Sequence, residues 1–169
     1  MPIRPTSPEV QTIPGVLLSL DGRGVLLTGE SGVGKSETAL QLIERGHRLV
    51  ADDAVELYPA PGAPRGRSPE ALRGLLEVRG LGLLEVTRLF GPGAWLAETS
   101  IALEIELLKA SPADYADWPR LEPRHCERAY LGQSLPCLQL PVSPGRPLAL
   151  LVETATRGLS PPTVRPLSC

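Results

Sequence analysis

Eight consecutive residues carry the strongest chemical signal in this chain. Gly29-Glu30-Ser31-Gly32-Val33-Gly34-Lys35-Ser36 matches the pattern G-x-x-x-x-G-K-[ST] in full, with a strand-like apolar run before it and helix-like spacing after it. Glycines let such a loop curl so that its N–H groups point inward at phosphate oxygens. The N-terminus of the following helix adds a partial positive charge. Lys35 sets a compact ammonium against the β and γ phosphates, and the Ser36 hydroxyl can ligate Mg²⁺. The expected ligands are therefore ATP and Mg²⁺. Lys35 and Lys109 are the only lysines in a chain with 17 basic residues. A lysine kept in this one motif suits a point charge rather than arginine's planar fork.

Carboxylates come next. Asp52-Asp53 closes the strand-like segment after the phosphate-loop helix, and strand ends are where α/β sheets hold their ligands. One of the pair can order Mg²⁺ or its water shell, while the other accepts a hydroxyl proton as general base. Glu77, in the run Leu75 to Gly82, is a second candidate metal ligand beside Ser36. Arg79 is expected to project to the opposite side of that extended segment, away from Glu77. Arg146, at the tip of Ser143-Pro144-Gly145-Arg146, could present a guanidinium to phosphate, although a turn arginine is more often simply solvated. His47 and His125 have no evident partners and read as structural or surface residues.

The elements that must position these groups follow from periodicity. Val16–Leu20 and Val25–Thr28 flank Asp21-Gly22-Arg23, a hairpin signal. Ala39, Leu40, Leu42 and Ile43 mark a helix from Lys35, stopped near Gly46. His47 to Val50 is a short strand, and Val55–Tyr58 continues extended. Residues 59–69 are rich in proline and glycine and are expected to form a mobile loop, a candidate lid. Glu70 to Leu76 fits a short helix or a strand. Leu83 to Phe90 has roughly helical spacing. Ile101, Leu103, Ile105 and Leu107 alternate with Ala102, Glu104 and Glu106, as a strand with one wet face does. Residues 111–136 are polar and proline-rich, and Leu138–Val142 and Leu148–Val152 read as two strands around a turn.

Composition bounds the rest. The 169 residues, 42% of them hydrophobic, suit one domain with a real core. The expected layout is a flexible lead-in over 1–12, a catalytic domain over 13–159 and a disordered tail over 160–169. A net charge of -2 carries no sign of nucleic acid as a partner. No apolar run is long enough for a membrane helix, and the N-terminus has no signal-peptide pattern, so a cytoplasmic protein is expected. The three cysteines, Cys126, Cys137 and Cys169, lack metal-site spacing and are expected to be reduced thiols.

Three strings together resemble one family. GVLLTGESGVGKSETALQLIERGHRLVADDAVEL, LLEVRGLGLLEVTRLFG and LPVSPGRPLALLVETA occur in the order and spacing of the HPr kinase/phosphorylase family, in a short form consisting of its C-terminal catalytic domain. The resemblance spans residues 15–157. It implies an α/β P-loop kinase fold like that of phosphoenolpyruvate carboxykinase, with a mixed sheet and flanking helices. It also implies a hexamer, ATP-dependent phosphorylation of a serine on HPr of the phosphotransferase system, and removal of that phosphate by inorganic phosphate to give pyrophosphate. Matched by position, Lys35 binds phosphate, Ser36 and Glu77 hold Mg²⁺, and Asp53 is the base in phosphorylation and the acid in the reverse step. Arg120 falls near the family's catalytic arginine, and Val142–Pro147, with Arg146, matches the segment needed for dephosphorylation. This chain departs by carrying Pro14 where the family has a catalytic histidine, by lacking the N-terminal domain, and by a C-terminal helical region cut short. Two other readings stay open: a kinase of a small molecule such as free serine, and a nucleotide-sensing module with little turnover.

Overall fold

The computed structural model describes residues 9–158. Strands β1 (Gln11–Pro14), β2 (Val16–Leu20) and β3 (Arg23–Gly29) lead into helix α1 (Lys35–Glu44). Strands β4 (Arg48–Ala51), β5 (Ala54–Tyr58), β6 (Arg65–Arg67), β7 (Leu75–Val78) and β8 (Gly82–Glu85) follow, then helix α2 (Val86–Phe90). Strand β9 (Glu98–Lys109), helix α3 (Pro112–Ala116), strands β10 (Arg124–Tyr130) and β11 (Gln133–Val142) and helix α4 (Leu148–Arg157) complete the described chain.

Among the described residues nine strands form one mixed sheet, and β7 pairs with β8 apart from it. β9 is its spine. Its first residues pair antiparallel with β6, its later residues pair parallel with β11, and its other edge pairs parallel with β3. The α/β mixed-sheet expectation holds. Alternation along each strand divides the core in two. Leu18, Leu27 and Ile105 pack with Leu42, Ile43 and Val152 of α1 and α4. Their neighbours Leu17 and Leu26 face the other way, onto Val50, Val55, Leu57 and Ile101. The β2–β3 hairpin, the α1 boundaries and the strand before Asp52 follow the sequence pattern, with Gly46 in the left-handed region (φ 97°) after the helix.

Several expectations are corrected. Gln11 and Thr12, placed in the flexible lead-in, pair with Leu57 and Glu56, so the sheet begins before residue 13. Residues 59–69 are no free lid: Arg65–Arg67 forms β6, held between β5 and β9. Gly66 reads as a loop residue, but a Cβ there would meet Leu17 Cδ2 at 2.5 Å, so glycine serves close packing. Residues 82–85 extend as β8 before a helix of only five residues. Residues 111–136 hold α3, β10 and the start of β11, invisible to apolar alternation because β10 reads Arg-His-Cys-Glu-Arg-Ala-Tyr.

Leu148–Val152 belongs to α4 and is no strand. Its buried positions Ala149, Val152, Glu153 and Thr156 recur every three or four residues, whereas a five-residue apolar run does not discriminate the two periods. Cys126 and Cys137 stand opposite each other across β10–β11, Cα to Cα 5.0 Å, and form a disulfide. The hairpin register brings together two cysteines expected to be reduced thiols. The proposed tail and Cys169 lie outside the described residues, and among these no helix is long and apolar enough to cross a membrane.

Candidate functional site

The phosphate loop is shaped by three glycines with left-handed or related backbone, Gly29 (φ 133°), Gly32 (φ 82°) and Gly34 (φ 112°). At Gly29 an added Cβ would lie 2.3 Å from the Leu107 carbonyl oxygen, so the loop leaves β3 flat against β9. Gly34 is the N-cap of α1 and offers no side-chain acceptor, which leaves first-turn N–H groups available to an anion. Lys35 Nζ donates to the carbonyls of Gly29 (2.6 Å) and Glu30 (3.0 Å), so the ammonium sits over the loop it belongs to. Burial lowers its pKa, an effect opposed by the nearby charges of Asp52 and Asp53.

Asp52 organises the floor of the site. It is 6% exposed, accepts the Glu77 backbone N–H at 2.8 Å through Oδ2, and lies 3.5 Å from Ser36 Oγ through Oδ1. Burial raises its carboxyl above the usual range, and the charges of Asp53 and Glu77 act in the same direction while two backbone N–H groups oppose them. Asp53 is exposed and adopts φ 68°, a conformation aspartate tolerates better than most residues. Its carbonyl accepts the Gly15 N–H at 3.2 Å, which pins the turn where β1 and β5 meet.

These groups line one cleft of about 420 Å³ containing Lys35, Ser36, Asp52, Asp53, Glu77 and Arg79. Pro14 is on its wall. The donors suit a hard dication: a hydroxyl and carboxylates converge beside an ammonium and an open helix N-terminus. Among the described residues no set of three or more His, Cys, Asp or Glu side chains forms a metal cage. Mg²⁺ fits that pattern, because it commonly takes one or two protein ligands and completes its shell with water and phosphate.

Arg79 corrects an expectation. Had residues 77–79 been extended, a period of two would already have put Glu77 and Arg79 on one side. In the structure β7 ends at Val78 and Arg79 opens the turn that follows. Glu77 and Arg79 both line the cleft. Period-two reasoning alone would have placed it there.

Arg120 and Arg146 are not brought to the phosphate loop. They line a separate cleft of about 600 Å³ with Tyr115, Trp118 and Arg124. Arg146 donates through Nη1 to the Pro141 carbonyl at 2.8 Å and lies over the Tyr115 ring. Arg124 stacks on Trp118, 4.5 Å from the ring centroid. His47 keeps its structural reading but gains a partner, with Nε2 2.7 Å from Glu153 Oε2 in the core, and His125 is exposed.

Residues 7–161 match the family model described as HPr Serine kinase C-terminal domain. The HPr kinase/phosphorylase of Lactiplantibacillus plantarum is 44% identical over 148 residues, covering 87% of this chain and 46% of that protein. The HPr kinase/phosphorylase of Bordetella pertussis is 48% identical over 147 residues, 86% of this chain and 47% of that protein. The chain thus spans about half the length of these curated relatives. Among solved structures, the Hpr(Ser) kinase/phosphatase from Coxiella burnetii superposes with a TM-score of 0.79 at 37% identity, covering 88% of this chain and 89% of that one.

Proposed function

This chain belongs to the HPr serine kinase C-terminal domain family, and from that premise we propose an ATP-dependent serine kinase acting on HPr or an HPr-like carrier protein. The observation that carries the reading is the convergence of Lys35, Ser36, Asp52, Asp53 and Glu77 on one cleft beneath the open N-terminus of α1. Loop N–H groups and the Lys35 ammonium hold the β and γ phosphates of ATP. Ser36 and Glu77 would hold Mg²⁺, which would neutralise phosphate charge there, and Asp52 keeps both side chains in place through its contacts with Ser36 and the Glu77 N–H.

Asp53 takes the proton of the acceptor serine hydroxyl as its oxygen bonds to the γ phosphorus and the bond to the departing ADP breaks. Arg79 adds a second cation on the wall of the cleft. In the reverse direction inorganic phosphate accepts the phosphoryl group, pyrophosphate leaves, and Asp53 returns its proton to the serine oxygen. Pro14 stands at the position of the family's histidine, so no imidazole is offered there to assist this direction. Arg120 and Arg146 are proposed to act on bound anions from their own cleft. A homo-oligomer, a hexamer by family resemblance, and a cytoplasmic location belong to the same reading.

The test is transfer of label from [γ-³²P]ATP with Mg²⁺ to purified HPr. A phosphoserine product is expected, and labelling of no protein acceptor would overturn the proposal. Light scattering on the purified chain reads the oligomer.

A further inference from the structure

Among the described residues the proposed chemistry leaves two buried carboxylates unused, Glu153 between α1 and α4 and Glu104 in the sheet. Glu104, in the middle of β9, is 1% exposed, on the sheet face opposite Leu27 and Ile105. Its Oε2 accepts the Thr28 hydroxyl at 2.8 Å and Arg128 Nε at 3.1 Å, and its Oε1 accepts the Tyr130 hydroxyl. Arg128 also donates to Glu106, which accepts Gln139 Nε2 at 2.7 Å. The row crosses four neighbouring strands, β3, β9, β11 and β10. A charge buried at this depth is costly, and an apolar residue would stabilise the sheet at least as well. What the carboxylate provides instead is direction, since each of its bonds fixes one side chain in one geometry.

One end of the row is the phosphate loop. Thr28 is the last residue before Gly29, and the Gly29 carbonyl accepts Lys35 Nζ at 2.6 Å. Gly29 rests on the Leu107 carbonyl, so β9 grips the loop's point of departure twice, by main-chain packing and by the Thr28 hydroxyl. The other end is the β10–β11 hairpin, whose cation neutralises both glutamates.

We propose that Glu104 is a positioning residue for nucleotide binding: through the Thr28 hydroxyl it fixes the carbonyl that holds Lys35, with Arg128 and Tyr130 fixing Glu104 in turn. The proposal rests on the nucleotide-binding part of the reading above. Thr28 does not line the cleft that holds Lys35, Ser36 and the carboxylates. Its removal therefore weakens the ground-state grip on ATP more than it slows the chemical step.

The experiment compares wild type, Thr28→Val and Thr28→Ser by calorimetry with Mg-ATP, by steady-state kinetics and by thermal melting. Valine keeps the shape and removes the donor. Its Kd and KM for ATP are expected to rise by roughly fivefold to tenfold, the scale of one hydrogen bond's net contribution. The turnover number is expected to change less, and serine is expected to restore binding to within about twofold. A valine variant with wild-type ATP affinity overturns the proposal even if its Tm falls, because that result makes the row purely structural. If Thr28→Val does not fold, Thr28→Ala, which also removes the donor, decides the matter by the same binding measurement: weaker binding supports the proposal and unchanged binding overturns it. Wild-type protein that binds no nucleotide overturns the functional reading instead.

Discussion

Asp52 and Glu153 are both buried carboxylates, 6% and 2% exposed, and they are treated in opposite ways. Glu153, on α4, is surrounded by cations. Arg45 donates to both of its oxygens, His47 lies at 2.7 Å and Arg157 donates at 3.0 Å. The Arg45 and His47 hydrogen bonds, aided by Arg157, hold its carboxyl down to about 2. Among the described residues Asp52 has no cation in hydrogen-bond contact; it shares its cleft with Asp53 and Glu77, and burial pushes its carboxyl up. The first arrangement closes a charge account within the fold and ties α1 to α4. The second leaves negative charge under-compensated at the mouth of a phosphate loop, where only a dication and its phosphates complete it.

Replacing the groups in the cleft should therefore damage activity without damaging the fold, and replacing Glu153 should do the reverse. The largest effect is expected for Asp53→Asn, a fall of about 10²- to 10⁴-fold in kcat, the usual contribution of a positioned general base. Tm should hold within a few degrees. Undiminished transfer would remove Asp53 from the mechanism.

Next in size is Glu153→Gln, expected to cost about 2 kcal/mol of stability by unpairing charged hydrogen-bond donors. Urea unfolding measures it, and kcat per folded molecule should be unchanged. If this variant melts like wild type, the contrast between the two carboxylates fails at its structural end.

Reduction of Cys126–Cys137 comes third, at about 1–2 kcal/mol, because the crosslink closes a short loop whose strands are already paired. Melting with and without dithiothreitol reads it, and the Cys126→Ser, Cys137→Ser double variant should be insensitive to the reagent. Since β10 carries Arg128, loss of protection from hydrogen exchange should concentrate in Arg124–Tyr130.

The smallest net effect is expected in the acid limb of stability, because Glu153 and Asp52 titrate with opposite signs. Glu153 has a folded pKa below its unfolded value of about 4.3, so its contribution is complete above that value. It falls progressively as pH drops from about 4 toward 2. Asp52 has the opposite sign: its raised pKa means that protonation relieves the folded state, and this contribution rises as pH drops through its folded pKa. Asp52→Asn should accordingly be neutral or stabilising at pH 7 in the absence of Mg-ATP, which thermal melting checks.

Legibility followed the range of the interactions. Each part of the phosphate loop was readable because its physics is local: glycine backbone freedom, one lysine and one helix start, all within eight residues. The β2–β3 hairpin and α1 were readable for the same reason. β10 was not, since an edge strand of charged residues owes its place to pairing with β11 and to Arg128 reaching across to β9. β6 was hidden by Gly66, whose role is to let Leu17 approach. The misplacement of Arg79 was an error of period rather than a missing signal.

By itself, then, the order of residues determined the phosphate-binding loop, the acidic pair that follows it, and through three ordered strings the family. Only the tertiary structure decided which carboxylate stands against Ser36, that Arg120 and Arg146 occupy another cleft, that two cysteines meet, and that Glu104 lies behind the loop. Backbone conformation and helix ends are set by neighbours a few residues away. Strand register and side-chain convergence are set by packing among segments tens of residues apart, and no local pattern encodes those distances.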